Sequence, residues 1–259
     1  MSLTARISAL LVGIGVLLLA VLLMQLALIP AVLLDPSIAI DPEEASRMVV
    51  MIAMPLGFLG MGAAGALYLR LTNRSWEWLD ITRPDRWDVV WMVGGTIIAF
   101  AGLITVGVIG QVLDIQPPEQ GIVVMIRDDV ALIVYMIAII WLLNAPAEEL
   151  IFRNIIQKRL YAAYSGITAV VIASVLFAVI HIFTFVTAGT EWIGVLLPTT
   201  AIFLGSLVMG YAYLRTRNLL VPIVIHAGFN SIQMVLLLLM QLFDVGPETA
   251  SLLSLLVVF

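Results

Sequence analysis

Charged residues and cysteine are what this sequence of 259 residues has least of. Charged side chains make up 11% of the chain, and cysteine is absent. About a quarter of the residues in a soluble globular domain are charged, so this composition excludes a soluble enzyme and a nucleic-acid-binding protein. Without cysteine, neither a disulfide scaffold nor a thiolate metal site can form.

The chain is instead 63% hydrophobic. A water-soluble fold of this length has too little interior to bury so much apolar surface, so the lipid bilayer is predicted to be its solvent. A transmembrane helix needs about 20 apolar residues, and no run in this sequence alternates as a barrel strand does. Seven runs meet that length, near residues 7–31, 48–69, 88–112, 130–152, 167–187, 193–214 and 219–243.

The fold class follows from these runs. The sequence predicts an all-α integral membrane protein, a bundle of seven transmembrane helices in a single membrane domain over residues 1–259. The first run lacks a cluster of basic residues and a small-residue cleavage site, so it is predicted to be a retained helix rather than a signal peptide. The apolar tail from about 249 to 259 is too short to span and is predicted to be a half-helix or an interfacial segment.

Basic residues are distributed unevenly between the two sets of loops. Ten are assigned to one side of the membrane, namely Arg6, Arg70, Arg74, Arg83, Arg86, Arg153, Lys158, Arg159, Arg215 and Arg217. The opposite loops hold only Arg47 and Arg127, together with most of the acidic residues. Because cytoplasmic loops carry the excess of Lys and Arg, the N-terminus is predicted to lie in the cytoplasm of a multi-pass cell-membrane protein.

A few ionisable residues lie inside the apolar runs. Glu148, Glu149 and Arg153 fall near the end of the fourth run, and the two histidines of the chain, His181 and His226, fall inside the fifth and seventh. Such residues are expensive in a bilayer, so they are predicted to be functional.

Glu149 and Arg153 are spaced to pair, because residues four apart share one face of a helix. Glu148 is turned about 100° away from that face, so it is predicted to be free for chemistry while Glu149 is structural. The alternative is a helix end that emerges into water with a solvated salt bridge.

His226 and Asn230 are also four apart and both can donate hydrogen bonds. A lone buried histidine is more often a packing residue, but the set as a whole suits amide hydrolysis. Glu148 and an imidazole would activate water, and the two donors would stabilise an oxyanion. Glu148, His181 and His226 also match the His₂Glu set of catalytic zinc sites, so the sequence leaves a divalent metal and a metal-free site both open.

Three motifs follow one another on successive apolar runs: Glu148-Glu149-x-x-x-Arg153, Phe177-x-x-x-His181 and His226-x-x-x-Asn230. This ordered set resembles the CPBP family, which comprises the CAAX proteases and bacteriocin-processing enzymes and is also called the Abi family. The region that carries the resemblance runs from about residue 130 to 232.

The resemblance implies an intramembrane endopeptidase that hydrolyses a peptide bond of a membrane-associated protein or peptide. Glu148 and His181 would activate the water, His226 and Asn230 would stabilise the oxyanion, and Glu149 would hold the arginine of its own motif. Some members cleave prenylated CAAX proteins, and others are linked to bacteriocin maturation or immunity. The alternatives are a non-catalytic scaffold or immunity protein and, less favoured because no inverted repeat is visible, a transporter.

The predicted boundaries place two of these residues at different depths. Glu148 lies about 27 Å along a straight helix that begins near residue 130, close to its cytoplasmic end. His181 lies well inside the fifth run, toward the outer half of the bilayer. A common site therefore requires a strong tilt or different helix boundaries.

Overall fold

The fold was analysed in a computed structural model of the chain, which describes residues 2–41, 44–115, 117–118, 121–186 and 191–243. All regular structure in these ranges is helical. Six helices are long and apolar enough to cross a membrane, and a seventh apolar helix is shorter. The predicted all-α polytopic membrane fold is thereby confirmed, and the tail predicted near 249–259 lies outside the described residues.

The seven apolar helices follow the predicted runs. In chain order they are α1 Leu3–Leu34, α2 Arg47–Leu71, α3 Arg86–Val112, α4 Val130–Leu160, α5 Gly166–Ile182, α6 Trp192–Thr216 and α7 Leu220–Phe243. Short helices at Ser37–Ile40, Trp76–Leu79 and Gly121–Ile126 lie between them.

Two of the predicted boundaries are wrong. The fourth run was predicted to end at residue 152, but α4 continues to Leu160 because the charge of Arg153 is buried within the bundle. The fifth was predicted to reach 187, but α5 ends at Ile182. There the hydroxyl of Thr184 donates to the carbonyl of His181, 2.8 Å away, and competes with continuation of the helix.

Side-chain caps fix where the helices begin. Asp85 and Asp88 form a capping box at the start of α3, where each carboxylate accepts from the backbone N–H of the other residue. Asp129 accepts from the first backbone N–H groups of α4, and Ser165 accepts from a backbone N–H of α5. These caps satisfy donors that a helix start would otherwise leave unpaired.

Helix α4 is irregular in its middle. A short α-helical stretch, Ala145–Glu149, lies between two π-helical segments, Ile140–Asn144 and Leu150–Gln157. Pro146 lacks a backbone N–H and so cannot complete a regular hydrogen-bond ladder. Such π-helical turns are rare and are frequently found at functional sites, and here they flank the paired glutamates.

The loops gather at two opposite ends of the bundle. At the end that holds the start of α1, the hydroxyl of Tyr164 donates to the carbonyl of Arg6 over 3.3 Å. At the other end, Arg47 and Asp129 form an ion pair of 2.9 Å. The loops rich in arginine therefore lie at one end of the bundle and the acidic loops at the other. This arrangement is expected when successive helices run in alternate directions.

A cluster of polar side chains ties the loop between α2 and α3 to the rest of the bundle. This anchoring cluster consists of Asp80, Asn154, Lys158, Tyr213 and Asn218. Lys158 Nζ lies 2.8 Å from Asp80 Oδ2, which also accepts from the hydroxyl of Tyr213. Asn154 donates to the carbonyl of Leu79 over 2.8 Å, and Asn218 donates to Asp88 over 2.9 Å. The loop is thus tied to α4, α6 and the start of α7.

Candidate active site

Glu148 lies in the middle of α4 with its side chain buried. Its Oε1 accepts a hydrogen bond of 2.7 Å from the side-chain amide of Asn144. Among the described residues, none supplies a hydrogen bond to its Oε2. A buried carboxylate oxygen without a partner is costly, so this atom is a candidate contact for a water or a substrate group.

Both histidines point the same ring nitrogen at that oxygen. His181 Nε2 lies 4.0 Å from Glu148 Oε2, and His226 Nε2 lies 3.9 Å from the same atom. These separations are too long for direct hydrogen bonds. The space between Glu148 Oε2 and the two Nε2 atoms is referred to as the gap.

The other nitrogen of each ring is held by the protein. His181 Nδ1 bonds the carbonyl of Phe177 at 2.7 Å, and His226 Nδ1 bonds Glu149 Oε1 at 2.9 Å. A carbonyl and a carboxylate only accept hydrogen bonds, so Nδ1 carries a proton in both rings. When such a ring is neutral, its Nε2 is the nitrogen that accepts.

Glu149 and Arg153 form the ion pair that their spacing suggests. Arg153 Nε donates to Glu149 Oε2 over 2.7 Å, and neither side chain has any exposed surface. Arg153 Nη2 also donates to the hydroxyl of Ser206 on α6 over 3.0 Å. This arrangement is a buried, hydrogen-bonded charge pair rather than a solvated salt bridge at a helix end.

Phe177 contributes both its ring and its backbone. Its ring centroid lies 4.5 Å from that of His181 and 4.7 Å from that of Phe152, and the guanidinium of Arg153 lies 5.2 Å above it. Ring contacts of this kind are typical of core packing. The structure adds that its carbonyl fixes the orientation of the His181 ring.

Asn230 joins the site through Asn144. Its Nδ2 donates to Asn144 Oδ1 over 3.3 Å, and Asn144 in turn bonds Glu148. Sequence reasoning gave Asn144 no role. The signal that could have found it is an amide inside an apolar run, four residues before Glu148 and so on the same helix face.

The structure corrects the expected difference in depth between Glu148 and His181. Because α4 runs to Leu160 and α5 begins at Gly166, the two residues lie at comparable distances from the turn that joins their helices. Glu148 is in the middle of its helix rather than near its end. The side chains therefore meet without a strong tilt.

The metal interpretation finds no support in the arrangement. Within the described ranges, no group of three or more His, Cys, Asp or Glu side chains is placed to hold a metal ion. A zinc site brings its ligands to about 2.0–2.2 Å from one point. Glu148, His181 and His226 border one gap but are not placed as such a ligand set.

The fold and the site define a polytopic helical membrane protein with a buried carboxylate and two imidazoles around one gap. Residues 130–232 match the sequence model of the family described as "Type II CAAX prenyl endopeptidase Rce1-like". The resemblance to the CAAX proteases drawn from the three motifs is confirmed for this region.

A curated relative extends the similarity beyond these residues. The chain is 22% identical over 214 residues to the "Membrane-embedded CAAX protease MroQ" of Staphylococcus aureus (strain USA300), covering 79% of this chain and 80% of the relative. No solved structure matches the chain at a significant level. Taken together, the comparisons support a membrane protease.

Proposed function

We propose that this protein is an intramembrane endopeptidase of the CAAX type that cleaves membrane-associated proteins with an activated water. One observation carries the proposal: Glu148 Oε2 is buried, has no hydrogen-bond donor among the described residues, and faces two imidazole Nε2 atoms at 3.9 and 4.0 Å. Donor and acceptor in a hydrogen bond lie about 2.7–3.2 Å apart, so a water in this gap can contact the carboxylate and an imidazole together.

Glu148 and His181 are the groups that activate the water. The water donates one hydrogen to Glu148 Oε2 and the other to His181 Nε2, which accepts because Nδ1 holds the proton. Glu148 then takes a proton as the water oxygen attacks the peptide carbonyl carbon. The product of this step is a tetrahedral intermediate with negative charge on the former carbonyl oxygen.

His226 and Asn230 are the donors for that oxyanion. With a proton on each ring nitrogen, His226 donates Nδ1–H to Glu149 and Nε2–H to the oxyanion. The charges of the two glutamates, Arg153 and a protonated His226 then sum to zero, which suits a buried site. When the intermediate collapses, the carbon–nitrogen bond breaks and Glu148 returns its proton to the leaving amine.

The comparisons and the burial of the site support one substrate class. The matching family is described as a prenyl endopeptidase, and the relative is named a CAAX protease. A site within membrane-spanning helices suits a substrate that is itself anchored in the bilayer. A prenylated CAAX-type peptide is therefore the first substrate to test.

We propose in addition that the end of the bundle with the basic loops faces the cytoplasm, together with the N-terminus. Arg153 no longer counts toward that end, since it is buried beside Glu149. The remaining basic residues still favour this orientation strongly. A substrate would then be anchored in the cytoplasmic leaflet.

The test is cleavage of a lipidated reporter peptide by the purified protein in liposomes. Wild type is expected to release the C-terminal fragment, and Glu148→Ala and His181→Ala are expected to abolish release. An unlipidated peptide of the same sequence measures the contribution of the lipid. Cleavage by both variants at the wild-type rate would refute the catalytic assignment, and flux of a solute without any cleavage would favour a transporter.

A further inference from the structure

Asn144 is the residue that connects the base of the proposed reaction to one of its oxyanion donors. Its side-chain Nδ2 donates to Glu148 Oε1 over 2.7 Å, and its Oδ1 accepts from Asn230 Nδ2 over 3.3 Å. All three side chains are buried, with Asn144 5% exposed. The amide therefore uses its donor on one partner and its acceptor on the other.

The first bond decides which oxygen of Glu148 is available. A carboxylate has two oxygens, and the amide of Asn144 occupies Oε1. Oε2 is left facing the two histidine nitrogens, the geometry that removal of a proton from water requires. Without the donor, the carboxylate is free to rotate about its last torsion, which is broad and soft.

The second bond orients Asn230. A primary amide carries two hydrogens on Nδ2, and Asn144 Oδ1 accepts one of them. The other is left to donate elsewhere. Fixing one hydrogen fixes the plane of the amide, so the second hydrogen is directed before substrate binds, as electrostatic stabilisation of an oxyanion requires.

The position of Asn144 in α4 supports this role. It ends the first π-helical segment, Ile140–Asn144, and so lies where the helix is locally irregular, one turn before Glu148. An irregular turn at this point sets the direction in which both side chains leave the helix.

We propose that Asn144 is a positioning residue of the hydrolytic site, which orients Glu148 and Asn230 at once without contacting the substrate. This inference rests on the proposed function. Hydrogen-bonding partners that orient metal ligands contribute about 10- to 100-fold to activity, and a similar range is expected for Asn144.

The experiment compares Asn144→Leu and Asn144→Ala with a matched control, Asn154→Ala. Leucine has the same number and branching of side-chain heavy atoms as Asn144 and suits a membrane interior, so it leaves no cavity where alanine would. Asn154 lies on the same helix and is fully buried, but it bonds the carbonyl of Leu79 in the anchoring cluster instead. The control therefore removes a buried amide of α4 that lies away from the gap.

We expect both Asn144 variants to lower kcat by about 10- to 100-fold with KM little changed, while Asn154→Ala leaves kcat intact. In a double-mutant cycle, Asn230→Ala should lower kcat less in the Asn144→Leu background than in wild type, because that donor is already misdirected. Wild-type kcat in Asn144→Leu, or strictly multiplicative effects, would overturn the inference.

A spectroscopic measurement separates this inference from the proposed function. The infrared difference between wild type and Glu148→Gln isolates the carboxylate band of Glu148. That band should shift in Asn144→Leu and stay in place in Asn154→Ala. An unmoved band refutes the positioning role even in an active enzyme, whereas a shifted band in a protein that cleaves nothing refutes only the proposed reaction.

Discussion

Two polar clusters include residues of helix α4. They differ in how their carboxylates are hydrogen-bonded. In the anchoring cluster, Asp80 Oδ2 bonds both Lys158 at 2.8 Å and the hydroxyl of Tyr213. In the candidate active site, Glu148 Oε2 has no described hydrogen-bond donor and faces two imidazole nitrogens across the gap. The carboxylate oxygen with two partners holds a loop in place, whereas the buried oxygen without a described donor is the one proposed to take a proton.

The same contrast appears between adjacent residues. Glu149 follows Glu148 directly in the sequence, yet its two oxygens bond Arg153 and His226. In its bonding it resembles Asp80 of the anchoring cluster. The role of each carboxylate is therefore set by its partners and by its direction from the helix.

The largest effect on stability is expected from removing Arg153, the buried cation beside the candidate active site. Arg153→Met leaves the carboxylate of Glu149 buried without its strongest partner, and breaking a buried pair in this way destabilises a protein by about 3–5 kcal/mol. The free energy of unfolding in detergent measures this. The double variant Glu149→Gln/Arg153→Met should regain much of the loss, and wild-type stability in Arg153→Met would contradict the buried pair.

A smaller effect is expected in the anchoring cluster. Asp80→Asn weakens the partly exposed pair with Lys158 and the bond from Tyr213, which together are worth about 1–2 kcal/mol. The rate of reporter cleavage should stay at the wild-type value, because this cluster holds the loop and does not touch the gap. Lys158→Met, which removes the other partner of the same ion pair, is the matched control. A large loss of kcat with stability unchanged would erase the distinction between the two clusters.

The smallest effect is expected at the opposite end of the bundle, where Asp35 lies outside the membrane. The hydroxyl of Ser37, followed by the backbone N–H of Ser46, lowers the pKa of Asp35 from 3.8 to about 2. A lowered pKa contributes stability that is present above the unfolded value and is lost as pH falls through the folded value.

Acid titration of unfolding stability tests this expectation. Wild type should lose a small increment between about pH 4 and pH 2 that Asp35→Asn does not show. Asp41→Asn, a neighbouring acidic residue, is a control for general loss of charge. An identical pH dependence in wild type and Asp35→Asn would contradict the stabilisation of the Asp35 carboxylate by Ser37 and Ser46.

Much of the fold could be predicted from the sequence because the bilayer imposes a length on each apolar run. The pairing of Glu149 with Arg153 could be predicted for a similar reason, since it depends only on helical spacing. The end of α4 could not be predicted, because the sequence alone assigns Arg153 to a loop. Its burial and its bond to Ser206 on α6 become known only from the packed structure.

The inner arrangement of the site depends on contacts between helices that are distant in sequence. The role of Asn144 rests on Asn230 of α7, and the meeting of Glu148 with His181 rests on the true ends of α4 and α5. The π-helical segments around the glutamates also left no periodic signal in a run that is apolar on every face. These features follow from packing rather than from local pattern.

The most direct test of the account is the cleavage rate of Glu148→Gln beside that of Glu149→Gln, each normalised to its folded fraction. Glutamine keeps the shape of both side chains. Glu148→Gln should fold as wild type and lose at least about 100-fold in kcat, since it removes the proposed general base. Glu149→Gln should chiefly lower the free energy of unfolding, because Arg153 stays buried without its carboxylate partner. Wild-type cleavage by folded Glu148→Gln would contradict the assignment of Glu148 as the base.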